Sequence, residues 1–117
     1  MKISLLEATV ITRMLNDPQL APSRRALEPS ALVVAERNVS EVGFIASFAR
    51  TAGAKLFGDD VSMRWGKVVG RLNAAVNVDF VVYVDDGYLT GVEGCTFGGE
   101  AWPADVAEFE LTDIPNR

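Results

Sequence analysis

At 117 residues, with 49% apolar and 23% charged side chains, the chain has the size and balance of a single globular domain with a real core. It has no histidine and one cysteine, Cys95, which excludes Ser–His and Cys–His nucleophilic pairs, histidine bases and ligands, an internal disulfide and a structural zinc site. The net charge of −5 is unevenly divided: residues 1–71 hold ten bases and seven acids (+3), whereas residues 72–117 hold nine acids and one base (−8).

The acidic part would repel nucleic acid and attract a basic surface, although acidic surfaces also serve solubility. No apolar run reaches the roughly 20 residues that span a bilayer. No basic region followed by an apolar run and a cleavage site opens the chain. The expected setting is therefore reducing and cytoplasmic, away from membranes.

Ser4-Leu5-Leu6-Glu7 has the spacing of a helix capping box. Leu6, Val10 and Met14 then recur every four residues, with Ile11 and Leu15 beside them. This predicts a helix over 5–16 that stops at Asp17-Pro18, with a strand as the alternative given the Thr and Val content. Residues 17–30 carry three prolines and read as an irregular connection.

From Ala31 the apolar period shortens. ALVVAERNVS and EVGFIASFAR read as strands, with a turn at Arg37-Asn38 between them. In the second, Phe44, Ala46 and Phe48 share one side while Ile45 and Ser47 face the other. GAKLFGDD reads as a loop, and SMRWGKVVGRL as a strand weakened by Gly66 and Gly70. VDFVVYVDD is the strongest strand. Its consecutive apolar residues predict a central position with both faces covered.

Asp86-Gly87 fits a two-residue hairpin turn, because that pair accepts positive φ. Counting outward pairs Asp85 with Tyr88, Val84 with Leu89 and Phe80 with Glu93. Val78, Phe80, Val82, Val84, Leu89, Gly91, Glu93 and Cys95 would then share one face. VAEFELTDI is the last strand. The expected fold is α+β, a single domain with an N-terminal helix on a mostly antiparallel sheet of about five or six strands.

Asp59-Asp60 and Asp85-Asp86 offer paired oxygens to a hard cation, but neither has the spacing of a calcium loop, and turn aspartates commonly bond their own backbone. On the register above, Glu93 is a carboxylate on an apolar face and must find a partner. Arg50, Arg64 and Arg71 are the expected candidates. Gly91 and Gly94 would leave room there for a pocket beside Phe80 and Glu93. Asp79 would point away from Glu93, which disfavours a glycosidase-like carboxylate pair. GCTFGGE lacks the spacing of a phosphate-cradling loop. Cys95 reads as a small buried hydrophobe. Trp102 fits either a binding anchor or a core-closing side chain.

Two stretches together resemble a known group. VGFIASF, and VDFVVYVDDGYLTGVEGCTFGGEAWP with its G-x-L, L/V-E-G, T-aromatic and W-P elements, are similar to segments of small bacterial proteins. The residues that carry the likeness are Gly43, Phe44, Phe48, Gly87, Leu89, Glu93, Gly94, Thr96, Phe97, Trp102 and Pro103. Asp79 and Cys95 depart from the pattern, where a glycine and an aromatic are usual. Some members of that group resemble immunity proteins of polymorphic or contact-dependent growth inhibition toxins. The resemblance implies a non-enzymatic inhibitor that needs no cofactor or metal and neutralises a cognate toxin domain by direct contact.

An acidic inhibitor suits a basic toxin such as a nuclease. The expected contact surface is Asp85, Asp86, Glu100 and Trp102. The alternatives are a small-molecule-binding module with its pocket at Phe80 and Glu93, and a carboxylate-dependent enzyme. An exposed edge strand would also allow a homodimer by strand addition.

Overall fold

A computed structural model describes all residues, Met1–Arg117. One helix, α1 (Leu5–Leu15), lies on a six-stranded antiparallel sheet formed by β1 (Val34–Val39), β2 (Gly43–Phe48), β3 (Met63–Leu72), β4 (Val76–Asp85), β5 (Tyr88–Thr96) and β6 (Phe109–Asp113). The spatial order is β1-β2-β5-β4-β3-β6. The fold is α+β, and no helix is long and apolar enough to cross a membrane.

The helix starts as its sequence requires. Ser4 Oγ accepts from the Glu7 amide at 3.1 Å, and the Glu7 carboxylate accepts from the Ser4 amide at 2.8 Å. These bonds satisfy amides that a helix start otherwise leaves free. Leu6, Val10, Ile11, Met14 and Leu15 bury their side chains against the sheet. Asp17 stays at the other end, where its carboxylate accepts from the Trp65 indole at 2.9 Å and pairs with Lys67 at 3.6 Å. The connection 17–30 is irregular, with short 3-10 turns at Ala21–Ser23 and, at its end, Pro29–Ala31.

The sheet departs from the sequence expectation in three places. Arg37-Asn38 is not a turn but lies inside β1, and the reversal comes at 40–42, where the Ser40 amide donates to the Gly43 carbonyl at 2.8 Å. The strand continues because Arg37 pairs across from Ala46 on the core side and reaches Glu7. Second, β4 is central but buried on one face only. Val78, Phe80, Val82 and Val84 are buried, whereas Asp79, Val81 and Tyr83 are half-exposed. One helix covers one side of the sheet, and no element covers the other.

Third, the β4–β5 register shifts. Asp85 does face Tyr88 and Val84 does face Leu89, but Tyr83 then faces Gly91, which leaves Thr90 as the extra residue of a bulge. Beyond it every side chain of β5 changes face. Val92, Gly94 and Thr96 point into the core, while Glu93 pairs across from Val81 and Cys95 across from Asp79 on the open face. Phe80 therefore faces Gly94, not Glu93.

Both outer edges are partly occupied. The Met1 amine donates to the Val34 carbonyl at 2.8 Å along β1, and Arg13 reaches the Leu111 carbonyl of β6 at 3.5 Å. Such partners reduce the backbone groups free for strand addition.

The β4–β5 turn takes φ values of 53° at Asp86 and 83° at Gly87, the geometry that suits a twisted hairpin. Its tip is clamped by the preceding loop. The Gly87 carbonyl accepts from the Leu56 amide at 2.8 Å, and the Gly87 amide donates to Val61 at 2.7 Å. A Cβ on Gly87 would sit 2.4 Å from the Phe57 carbonyl oxygen. Gly87→Ala should thus cost about 2 kcal/mol or more in urea unfolding, combining a positive φ with a backbone clash. Asp86→Asn, which tolerates the same φ, should stay within about 0.5 kcal/mol of wild type.

Candidate functional site

The sequence-derived site residues do not form one surface. Asp85 and Asp86 are exposed at one end of the β4–β5 hairpin, and Glu100 and Trp102 follow the other end of β5. At about 3.3 Å per residue, the two groups lie roughly 25 Å apart along the strand. The hairpin tip is also not purely acidic. Arg50 approaches Asp86 at 3.8 Å and stacks over the Tyr88 ring at 4.9 Å, and Lys55 pairs with Asp59 beside it.

The expected pocket at Phe80 and Glu93 is absent, because the two side chains are on opposite faces. Phe80 is fully buried in the core. Glu93, half-exposed, accepts from the Tyr83 hydroxyl at 2.7 Å, and Arg64 stacks over that Tyr83 ring at 5.4 Å. Its partner is thus a phenol and not Arg50, Arg64 or Arg71. The bond to Glu93, reinforced by burial, raises the Tyr83 pKa and keeps the phenol protonated. Asp79 shares the open face with Glu93, contrary to expectation, and pairs with Arg117 at 2.5 Å. Cys95 is exposed, not buried. No three Asp, Glu or Cys side chains converge as metal ligands would.

The structure instead opens a groove of about 350 Å³ on the core side of the sheet, between the start of α1 and the loop 97–108. One wall is Leu5 and Leu6 of the first helical turn. The other is Trp102, Val106 and Ala107, and the floor is Phe44 with the Glu7–Arg37 pair. Trp102 is held edge-on to Phe44, with ring centroids 5.3 Å apart and planes at 65°. That packing needs Gly94 beneath it, since a Cβ there would come within 2.6 Å of Phe44 and 2.9 Å of Trp102. The loop turns out of β5 because the Thr96 hydroxyl donates to the Glu100 carbonyl at 2.5 Å, and the Trp102 amide donates to Glu41 at 2.7 Å. Gly43, Phe44, Gly94, Thr96 and Trp102, five of the positions that carry the resemblance, meet here.

Asn73, in the β3–β4 turn, fixes the far end of the loop. Its side chain donates to the Asp105 carbonyl at 2.8 Å and accepts from the Ala107 and Glu108 amides at 2.8 and 3.2 Å. The sequence pattern assigns Asn73 no role, because these bonds span more than thirty residues.

Glu7 is 2% exposed and carries two bonds from Arg37, at 2.8 Å from Nε and 2.6 Å from Nη2. Burial alone would raise the Glu7 carboxyl. The Arg37 and Ser4 hydrogen bonds outweigh it, so its pKa lies below the ordinary carboxylate value. At Asp17 burial likewise raises the carboxyl, and bonds from Trp65, Gln19 and Lys67 bring it below the usual value. Glu7 was legible only as a capping residue. Its place four residues before Ile11, on a buried stripe, is the signal that it also needs a charged partner.

The rim combines apolar exposure with unpaired acid. Leu5 is 75% exposed and Val39 68%. Glu41, Glu100, Asp105 and Glu108 lie on or beside the bounding segments, and all are exposed and outside any ion pair.

Asn73→Gly keeps the backbone freedom of the turn but removes the side-chain bonds. It should cost about 1–3 kcal/mol and speed amide exchange at 105–108 more than in the strands, as read by hydrogen–deuterium exchange. The depressed pKa values of Glu7 and Asp17 imply stability that is present above about pH 4.5 and lost as pH falls through their folded values. With no histidine to titrate, urea midpoints should be nearly level from about pH 5.5 to 7.5 and fall below that acid threshold. Glu7→Gln should lose about 1–3 kcal/mol at pH 7, with the gap from wild type closing in acid.

No protein-family model, curated protein or solved structure matches this chain, and the groove and its rim are therefore the grounds for assigning a role.

Proposed function

We propose that this chain is an immunity-type inhibitor that binds a basic toxin domain directly, using the end of the sheet that holds the groove, and performs no catalysis of its own. The observation that carries this reading is the coincidence of exposed Leu5 and Val39 and half-buried Trp102 with the unpaired carboxylates Glu41, Glu100, Asp105 and Glu108. Apolar side chains grouped within a charged rim are the anatomy of a protein-binding surface. The acids would steer a basic partner, and the apolar centre would slow its departure. A nuclease is a natural target class, because the surface that grips phosphate is basic. In this reading Glu100 and Trp102 are retained as contact residues, and Asp85 and Asp86 become peripheral. The inhibitor acts in the cytoplasm of the cell that makes it.

The test is co-expression with the toxin domain encoded immediately upstream, combined with binding kinetics on the purified pair. The wild type should bind and restore growth. Reversing Glu41, Glu100 and Asp105 to Lys should slow association at least about tenfold at low salt, with the difference shrinking as salt rises. Reversing Asp85 and Asp86 should change it much less. Leu5→Ala, at an exposed position, should mainly speed dissociation. A wild type that neither binds nor protects removes the inhibitor reading for that toxin. Equal effects of the two charge reversals would place the contact elsewhere.

A further inference from the structure

We infer that the groove between the start of α1 and the 97–108 loop is a socket for one large apolar side chain carried on a basic segment of the partner, whose backbone accepts a hydrogen bond from Arg37. This rests on the inhibitor reading above and adds to it the chemistry of the inserted element.

Three features specify the occupant. The walls are apolar. Leu5, Val39, Phe44, Trp102 and Val106 offer contact on several sides, and the volume of about 350 Å³ has room for one bulky side chain with part of its backbone. Arg37 supplies a polar contact at the floor. Its Nε and Nη2 are committed to Glu7 and the Lys2 carbonyl, but the sole partner of Nη1 is the Met1 sulfur at 3.4 Å. A thioether is a weak acceptor, so an incoming carbonyl oxygen would replace it with gain. Glu7 holds the guanidinium in place beforehand, which lowers the ordering cost of binding.

The rim sets the charge of the flanking residues. The segments 1–7, 37–44 and 100–109 hold five acidic and two basic side chains, a net of −3, and Lys2 is the one base there outside an ion pair. An acidic segment would be repelled, and a neutral one would leave the four free carboxylates without partners. The open rim at Leu5 and Val39 admits a side chain projecting from a larger surface.

The experiment is a titration of the ¹⁵N-labelled protein with amidated pentapeptides, read from the Trp102 indole and the Leu5 and Ala107 amides. Lys-Lys-Phe-Lys-Lys should shift all three saturably and bind at least about tenfold tighter than Lys-Lys-Gly-Lys-Lys or Glu-Glu-Phe-Glu-Glu. The Asp85 and Asp86 amides should stay in place. Ala107→Phe, which fills the groove from an exposed position, should abolish these shifts. Leu5→Gln should weaken binding severalfold, and it serves as the second variant should Ala107→Phe disturb the fold. Failure to saturate by several millimolar overturns the socket. So does equal binding of the glycine peptide, or of phenylacetate, which would assign the groove to charge alone or to a small molecule. If a toxin complex forms with undiminished affinity to well-folded Ala107→Phe, the socket is lost and the inhibitor reading stands. If the peptides bind as described but no toxin complex forms, the socket stands and the inhibitor reading is lost for that toxin.

Discussion

One extra residue in β5, Thr90, decides which way the second half of that strand faces. The bulge puts Val92 and Gly94 under the helix side of the sheet and turns Glu93 and Cys95 outward. Because Gly94 faces the core without a side chain, Trp102 can lie against Phe44 above it. Because Trp102 lies there, the loop that follows β5 crosses the core side to Asn73 and becomes the second wall of the groove. Without the bulge Glu93 would point into an apolar layer with no partner at hand, and the space beneath Trp102 would be closed.

The charge asymmetry of the sequence is largely dispersed by the sheet topology. β4 and β5 come from the acidic part of the chain but lie between β2 and β3, which belong to the other part. Arg13 and Arg50 reach across to Asp113 and Asp86, and Arg117 neutralises Asp79. Unpaired acid remains prominent around the groove, where Glu100, Asp105 and Glu108 meet Glu41 from the N-terminal part. The excess of negative charge therefore survives folding, but at a smaller and better defined place than the linear count suggests. The hairpin tip, with Arg50 and Lys55 beside its aspartates, is a weaker attractor.

Local signals in the sequence were reliable where the interactions are local. The Ser4–Glu7 box, the four-residue apolar period of α1 and the Asp86-Gly87 turn each depend on neighbours within one turn, and each is present in the structure. The helix on a six-stranded antiparallel sheet agrees with the expected α+β class, which rested on these signals and on the shorter apolar period after Ala31. The register of β5 was misread because counting in twos has no means of detecting an inserted residue. Val92 held the corrective signal, since it is the large aliphatic residue of its stretch and only a shift at Thr90 buries it opposite Val82. Arg37 was misread as a turn residue because its partner, Glu7, is thirty positions away. The groove was illegible for the same reason: its floor and walls come from four separate parts of the chain.

The central claim is that contact with the partner is made at the groove end of the sheet. Hydrogen–deuterium exchange of this protein, free and in the presence of the toxin domain proposed as its partner, tests that most directly. Contact at the groove end predicts slowed exchange at 5–7, 39–44 and 100–108, with little change at 85–88. Slowed exchange confined to 85–88 and the loop that clamps it, with the groove segments unaffected, would contradict it.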